Sequence, residues 1–153
     1  GHSLIKAKIK ETDAELAGEM SGHIFFNDRY FGFDDALYTT CRLLEILSQT
    51  DEPFSSLLDG VPETFATPEI RQDCDEDLKF EIPDIVAKEF AADHDVVTID
   101  GVRVKFEEGW GLVRASNTQP VLVLRVEATS PEARDDYLDR LQSAIERAEA
   151  QLT

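Results

Sequence analysis

Residues 18–23 read Gly-Glu-Met-Ser-Gly-His, a carboxylate, a hydroxyl and an imidazole set between two glycines that let the backbone bend sharply. A carboxylate accepts hydrogen bonds from two vicinal hydroxyls, and a serine hydroxyl gives or takes as required. Glu19 and Ser21 therefore suit recognition of a polyol. A polar β-turn with no chemical role is the plainer reading of the same hexapeptide. Glu19, His23 and the distant His2 also offer ligand types for zinc, although Glu-x-x-x-His lacks the paired histidines of a helical zinc motif.

A second segment, Arg114 to Pro120, reads Arg-Ala-Ser-Asn-Thr-Gln-Pro between two apolar runs. Its guanidinium, the side chains of Ser116, Asn117 and Thr118, and inward-pointing backbone N–H groups are what a phosphate wants: bidentate charge plus several neutral donors. The alternative is a hairpin turn with an exposed arginine. The chain carries a formal charge of -17, so a dianionic ligand needs a local positive focus of this kind to bind at all. Lys6, Lys8 and Lys10 could add to it, but each also reads as helix surface.

These segments must be held by regular elements. Leu4, Ile5 and Ile9 suggest a short helix near the start. Leu37, Cys41, Leu44 and Leu47 recur at helical spacing behind Asp34 and Asp35, which predicts an amphipathic helix over 35–49 with two acids at its N-terminus. Between the helices, Ile24 to Phe26 and Tyr30 to Phe33 read as strand, loop, strand. Turn-forming residues cluster over 51–68, the expected linker between a first piece, 1–50, and a second domain, 69–153.

In the second domain, Glu69 to Asp75 reads as a strand and about Lys79 to Ala92 as a helix with Pro83 near its first turn. Val96 to Ile99 and Val102 to Phe106 flank Asp100-Gly101, a dipeptide suited to a two-residue hairpin turn with positive φ at both central positions. Leu112 to Ala115 and Val121 to Ala128 add two strands. Ser130-Pro131-Glu132 then opens a terminal helix whose buried stripe is Tyr137, Leu138, Leu141, Ala144, Ile145 and Ala148. An α/β piece followed by an α+β domain with an antiparallel sheet is the expected fold class.

Composition bounds the function. The chain has 153 residues, 42% of them hydrophobic, enough for one domain or two small ones and too apolar for a disordered tail. Fifteen basic residues against thirty-two acidic ones disfavour nucleic acid and anionic membrane as partners. The longest strong apolar run, Val121 to Leu124, falls far short of the roughly 18 residues of a membrane span. Cys41 and Cys74 are isolated, so neither a zinc knuckle nor a redox pair forms from them, and a cytoplasmic setting is expected. The acidity itself is open to three readings: a solvated surface, cation binding or salt tolerance. With no initiator methionine, the chain is expected to be processed or to be a piece of something longer.

The two loops together resemble the α-D-phosphohexomutases, most closely the bacterial phosphomannomutase/phosphoglucomutases. Residues 18–23 are similar to that family's sugar-recognition loop, and Gly109-Trp110-Gly111-Leu112-Val113-Arg114-Ala115-Ser116-Asn117-Thr118 to its C-terminal phosphate-binding loop. The likeness extends to Gly1-His2-Ser3-Leu4-Ile5-Lys6, Arg29-Tyr30-Phe31-Gly32-Phe33-Asp34-Asp35, Arg42 to Ser48 and Asp100 to Val104. It is weakest over 50–95.

The resemblance implies the second half of the family's domain three, followed by a domain four similar in fold to the TATA-binding protein. It implies an isomerase of carbohydrate metabolism. A phosphoserine gives its phosphoryl group to a hexose monophosphate, and the reoriented bisphosphate returns the other phosphate. Arg114, Ser116, Asn117 and Thr118 would clamp the non-reacting phosphate of glucose or mannose phosphates, and Glu19 and Ser21 would hold ring hydroxyls. His2 and His23 would face the reacting group as catalytic residues. His94 has no counterpart and reads as structural. The chain contains neither the family's Thr-Ala-Ser-His-Asn-Pro segment, which bears the phosphorylated serine, nor its Asp-Gly-Asp-Gly-Asp-Arg magnesium loop. The expectation is thus that magnesium belongs to the full-length enzyme, that no residue here holds a metal, and that this chain alone is inactive. A non-catalytic sugar-phosphate-binding or regulatory module is the alternative. The incomplete first piece is expected to expose Phe25, Phe26, Tyr30, Phe31 and Phe33 and to self-associate.

Overall fold

Helix α1 (His2–Thr12) buries only Ile9 and ends where Asp13 turns left-handed, φ 51°, with a backbone N–H returning to Ile9. It leads into a hairpin of β1 (Leu16–Gly18) and β2 (Ile24–Phe26), paired Leu16 to Phe26 through Gly18 to Ile24. Helix α2 (Ala36–Leu47) starts at Asp35, whose side chain accepts from the Tyr38 N–H. The computed structural model describes residues 1–19 and 21–152; Met20, inside the first loop, and Thr153 lie outside them. The chain divides into two compact units, residues 1–60 and residues 61 onward.

Three expectations for the first unit need correction. Tyr30 to Phe33 is not a strand: the partner of β2 is β1, and the described residues add an isolated bridge between Phe25 of β2 and Asp34. The Tyr30 ring stacks instead on Tyr38 at 3.9 Å, and Phe31 on Phe33. Phe25 is fully buried, so it drops out of the exposed patch, in which Phe31 is 78% and Phe33 41% exposed. The apolar stripe of α2 faces outward, with Leu37 and Leu44 exposed and no residue of the helix buried. Polar ties orient the helix against the hairpin. Arg42 donates to the Asp28 carboxylate at 2.8 Å while lying over the Phe26 ring, and Arg29 pairs with Glu45.

The second unit is one antiparallel sheet with two helices. Its strands are β3 (Phe65–Ala66), β4 (Ile70–Asp73), β5 (Asp95–Val97), β6 (Val102–Lys105), β7 (Gly109–Ala115) and β8 (Val121–Ala128). The order is β5-β6-β7-β8, and the free edge of β8 is shared by β4 beside Val121 to Leu124 and β3 beside Glu127 and Ala128. The strand β3 falls within the stretch expected to be linker, which otherwise contains a short 3-10 helix, Phe54–Leu58.

Alternation gives the sheet two faces. Val102, Val104, Val113, Leu122, Leu124 and Val126 pack in one core with Ile82, Val86 and Phe90 of α3 (Glu81–Phe90) and with Tyr137, Leu141, Ala144, Ile145 and Ala148 of α4 (Pro131–Leu152). Ser130 caps α4 as expected, its Oγ accepting from the Ala133 N–H. Gly111 is small because α4 lies against it: a Cβ there would sit 2.4 Å from the Leu141 side chain. The turn at Asp100-Gly101 differs from the expected two-residue type. Pairing ends at Val97 and Arg103, and Gly101 alone has positive φ, 74°. The loop folds back on β7, where an added Cβ would lie 2.3 Å from the Val113 carbonyl. His94 accepts from Arg140 at 2.7 Å beside Phe90 and Phe106, in keeping with a structural role.

Leu141 is fully buried at the centre of this core. Leu141→Ala should lower the second unit's stability by about 2–5 kcal/mol. Urea unfolding followed through Trp110, the single tryptophan, measures it. In the first unit the hydrogen bond from Arg42 holds the Asp28 carboxyl down at about 2, against 3.8 for the free group. A depressed carboxyl adds stability above its unfolded pKa and loses it as pH falls through the folded one, here between about pH 4 and pH 2. Asp28→Asn should remove that contribution at neutral pH and flatten the acid dependence. Urea titrations at several pH values, followed by the NMR signals of residues 16–26, test both effects.

Candidate functional site

Hairpin geometry builds the first candidate site. The Glu19 N–H donates to the His23 carbonyl at 2.9 Å, and the Gly22 N–H closes back on the Glu19 carbonyl, with Gly22 at φ 88°. Glu19 and His23 thus stand at the two ends of a short loop, and the exposed Ser21 hydroxyl lies 3.4 Å from the Glu19 carboxylate. His2, the first residue of α1, brings its ring edge-on to His23 at 4.8 Å and to Phe25 at 5.2 Å. Its Nδ1 is 3.3 Å from Glu19 Oε1, a buried oxygen with no hydrogen-bond partner.

Asp34 completes this cluster. Oδ2 accepts from His23 Nδ1 at 2.7 Å and lies 3.4 Å from His2 Nε2, while Oδ1 accepts the Ile24 N–H at 3.3 Å. Because a carboxylate only accepts, the proton of that short bond sits on His23 Nδ1, which leaves the lone pair on Nε2. The His23 bond, helped by His2, holds the Asp34 carboxyl below its ordinary range. In the sequence Asp34 reads as a second acid at a helix start. Asp35 does the capping, and also accepts from the Tyr30 hydroxyl at 2.6 Å, so Asp34 is released to face the imidazoles. Sequence separations of 32 and 11 residues hide that meeting.

The second candidate site lies on β7 and the loop after it. Arg114 projects on the sheet face opposite the helices, where its guanidinium is 3.6 Å from the Asp100 carboxylate and its Nε is buried without a partner. Ser116 is buried, and its Oγ accepts the N–H groups of both Thr118 and Gln119. This corrects the expectation of inward-pointing backbone N–H groups available to a phosphate: two of them are spent on Ser116, which fixes the loop's shape. Asn117 and Thr118 are exposed at the tip. Lys79, almost fully buried, donates to the Gln119 carbonyl at 3.1 Å and pairs with Glu76, and Arg71 donates to the Gln119 side chain. Sequence reasoning missed Lys79 because nothing in an isolated lysine announces that it anchors a loop 40 residues away.

His2, Glu19, Ser21 and His23 are therefore neighbours within the first unit, and Arg114, Ser116, Asn117 and Thr118 within the second. Two imidazoles and a carboxylate are a poor donor set for magnesium, which takes oxygen ligands in an octahedron.

Known proteins resemble both units. Residues 1–65 match the domain described as phosphoglucomutase/phosphomannomutase, alpha/beta/alpha domain III, and residues 69–144 match the phosphoglucomutase/phosphomannomutase C-terminal domain. A phosphomannomutase/phosphoglucomutase of Pseudomonas putida is 48% identical over 153 residues, covering 99% of this chain and 33% of the relative. A phosphoglucomutase of Neisseria gonorrhoeae is 49% identical over 149 residues, covering 95% of this chain and 32% of its own. A crystal structure of a phosphoglucomutase/phosphomannomutase family protein from Burkholderia thailandensis superposes with a TM-score of 0.82 at 49% identity, over 97% of this chain and 31% of that one. The chain spans about a third of the length of the curated relatives it matches. With both of its units matched in order, the chain belongs to the phosphoglucomutase/phosphomannomutase family, of which it carries sequence of domain III and of the C-terminal domain.

Proposed function

We propose that this chain is the sugar- and phosphate-binding portion of a phosphomannomutase/phosphoglucomutase, an enzyme that moves phosphate between the C1 and C6 positions of a hexose through a phosphoserine and a bisphosphate intermediate. The observation that carries the reading is the coincidence of family membership with a shaped Arg114–Thr118 loop. Phosphoryl transfer of this kind is mostly positioning and electrostatics, so a clamp on the non-reacting phosphate orients the reacting end. Arg114 supplies charge on an open sheet face, and it must exchange Asp100 for the incoming phosphate. That exchange is favourable, because a dianion offers more charge and a second oxygen for a bidentate bond than a half-exposed carboxylate. Ser116 shapes the loop, and Asn117 and Thr118 present their side chains beside it.

Glu19 and Ser21 accept from and donate to adjacent ring hydroxyls, which glucose and mannose phosphates both carry. His23, with its Nδ1 proton held by Asp34, takes the proton of the attacking hydroxyl at Nε2, and His2 lends its positive edge to the same region. The phosphoryl donor belongs to a part of the enzyme outside these 153 residues, so the chain alone should bind a hexose phosphate weakly and turn none over. A purely regulatory sugar-phosphate module shares the binding and lacks the turnover in any context.

The proposed setting is the cytoplasm. Both cysteines are free, and among the described residues no helix is long and apolar enough to cross a membrane. Hexose phosphates are the proposed partners and nucleic acid is not one, in keeping with the charge of -17.

In the chain extended to the length of its relatives, Arg114→Ala should cost about ten- to a hundredfold in catalytic efficiency, the equivalent of roughly 1.5–3 kcal/mol of charge-assisted bonding. Glucose 1-phosphate titrated into the 153-residue chain should shift the amide signals of residues 114–118 and leave those of the Arg114→Ala chain in place. Unchanged kinetics together with unchanged shifts would take the phosphate away from this loop. The outward stripe of α2 gives a second expectation: the chain self-associates through Leu37 and Leu44, and Leu37→Ser with Leu44→Ser returns it to a monomer in sedimentation velocity.

A further inference from the structure

We propose that His2, His23 and Asp34 form a binding site for a first-row transition metal ion of the zinc class, separate from any magnesium the family enzyme uses. Among the described residues they are the one group of three side chains whose ligand atoms lie within 4.8 Å of one another. Both imidazoles meet a single carboxylate oxygen, at 2.7 Å from His23 Nδ1 and 3.4 Å from His2 Nε2. Ligand atoms about 2.0–2.1 Å from a tetrahedral ion stand about 3.3 Å apart, so the His2 edge already has the spacing of an occupied site. The His23 edge is the separation of a proton-filled pair, and it must open slightly as the ion takes the place of the Nδ1 proton.

The surroundings favour the exchange. The rings cross at 64° rather than stacking, so both can turn an edge toward Asp34. Glu19 Oε1 stands behind His2, 3.3 Å from Nδ1, and is otherwise unpartnered and buried. When an ion binds, the His2 proton moves to Nδ1, where this carboxylate accepts it, and Nε2 gives its lone pair to the metal; a carboxylate behind a metal-bound histidine orients the ring and makes it a better donor. Glu19 therefore acts from behind a ligand rather than as one. Two nitrogens and one carboxylate oxygen match zinc, cobalt or nickel far better than magnesium or calcium. Three protein ligands leave a fourth position for water or an anion oxygen, and a net charge of -17 raises the local cation concentration.

The test uses the 153-residue chain stripped of metal by a chelator. Zinc is titrated in competition with a chromophoric chelator, and cobalt is added separately as a spectroscopic probe. The site predicts one competing zinc per chain and intense cobalt absorption of a low-symmetry, nitrogen-containing site. Asp34→Asn and His2→Ala should each weaken zinc by at least about tenfold, and Glu19→Gln by about ten- to a hundredfold. His94→Ala, at a histidine outside the cluster, should bind as the parent does. His2 sits at an exposed helix start, so its replacement leaves the hairpin intact, which the amide spectrum of residues 16–26 verifies. Zinc affinity equal in the parent and in the His2→Ala, His23→Ala double variant would overturn the proposal, as would a parent chain that keeps no zinc against the chelator. Neither readout involves turnover, so failure here leaves the sugar-phosphate reading standing and failure of that reading leaves this one.

Discussion

A single carboxylate holds the first unit's chemistry in place. Asp34 ties the start of α1, the return strand of the hairpin and the turn into α2 through His2, the Ile24 N–H and His23. It can do so because its neighbour Asp35 has taken the capping of α2, and because the bridge between Phe25 and Asp34 fixes the backbone beside it. Two adjacent aspartates thus perform unlike tasks, one set by helix geometry and one by the rings that reach it.

The second unit achieves rigidity differently. Strand β8 pairs along both edges, with β7 on one side and β3 and β4 on the other, and its inward side chains are buried under α3 and α4. The loop after β7 inherits that rigidity from below: Ser116 donates its N–H to the Val121 carbonyl and accepts two N–H groups on Oγ, while Lys79 reaches through the core edge to the Gln119 carbonyl. A buried ammonium is costly unless bonded, and here Gln119 and Glu76 supply the bonds. The charge that anchors the loop is one that cannot lose these partners without being left buried and unpaired.

Periodicity made much of this legible from sequence. The α4 stripe, the Ser130 cap and the extent of β8 follow from apolar spacing and turn chemistry, both local properties, and the two loops stood out by residue type. What could not be read was long-range. Tyr30 to Phe33 has strand composition, yet its rings stack on one another and on α2 while β1, a weaker sequence, takes the pairing with β2. Asp100-Gly101 has the composition of a tight turn, but its contact with β7 sets a longer one. Asp34 and Lys79 act across 32 and 40 residues, and no local pattern encodes a partner at that distance.

The two units also differ in what stabilises them, and the difference bears on function. Among the described residues the second unit buries a continuous core, whereas the first fully hides Phe25 and nearly hides Ile9, with α2 turned outward. The carboxylates held below their ordinary range among those residues, Asp28, Asp34, Asp35 and Glu45, all belong to that first unit. Exposed ion pairs contribute only about 0–1 kcal/mol each, so such a network fixes directions better than it resists unfolding. The 18–23 loop and the histidine pair are therefore set by polar geometry on a thin support, while the Arg114–Thr118 loop stands on a packed sheet.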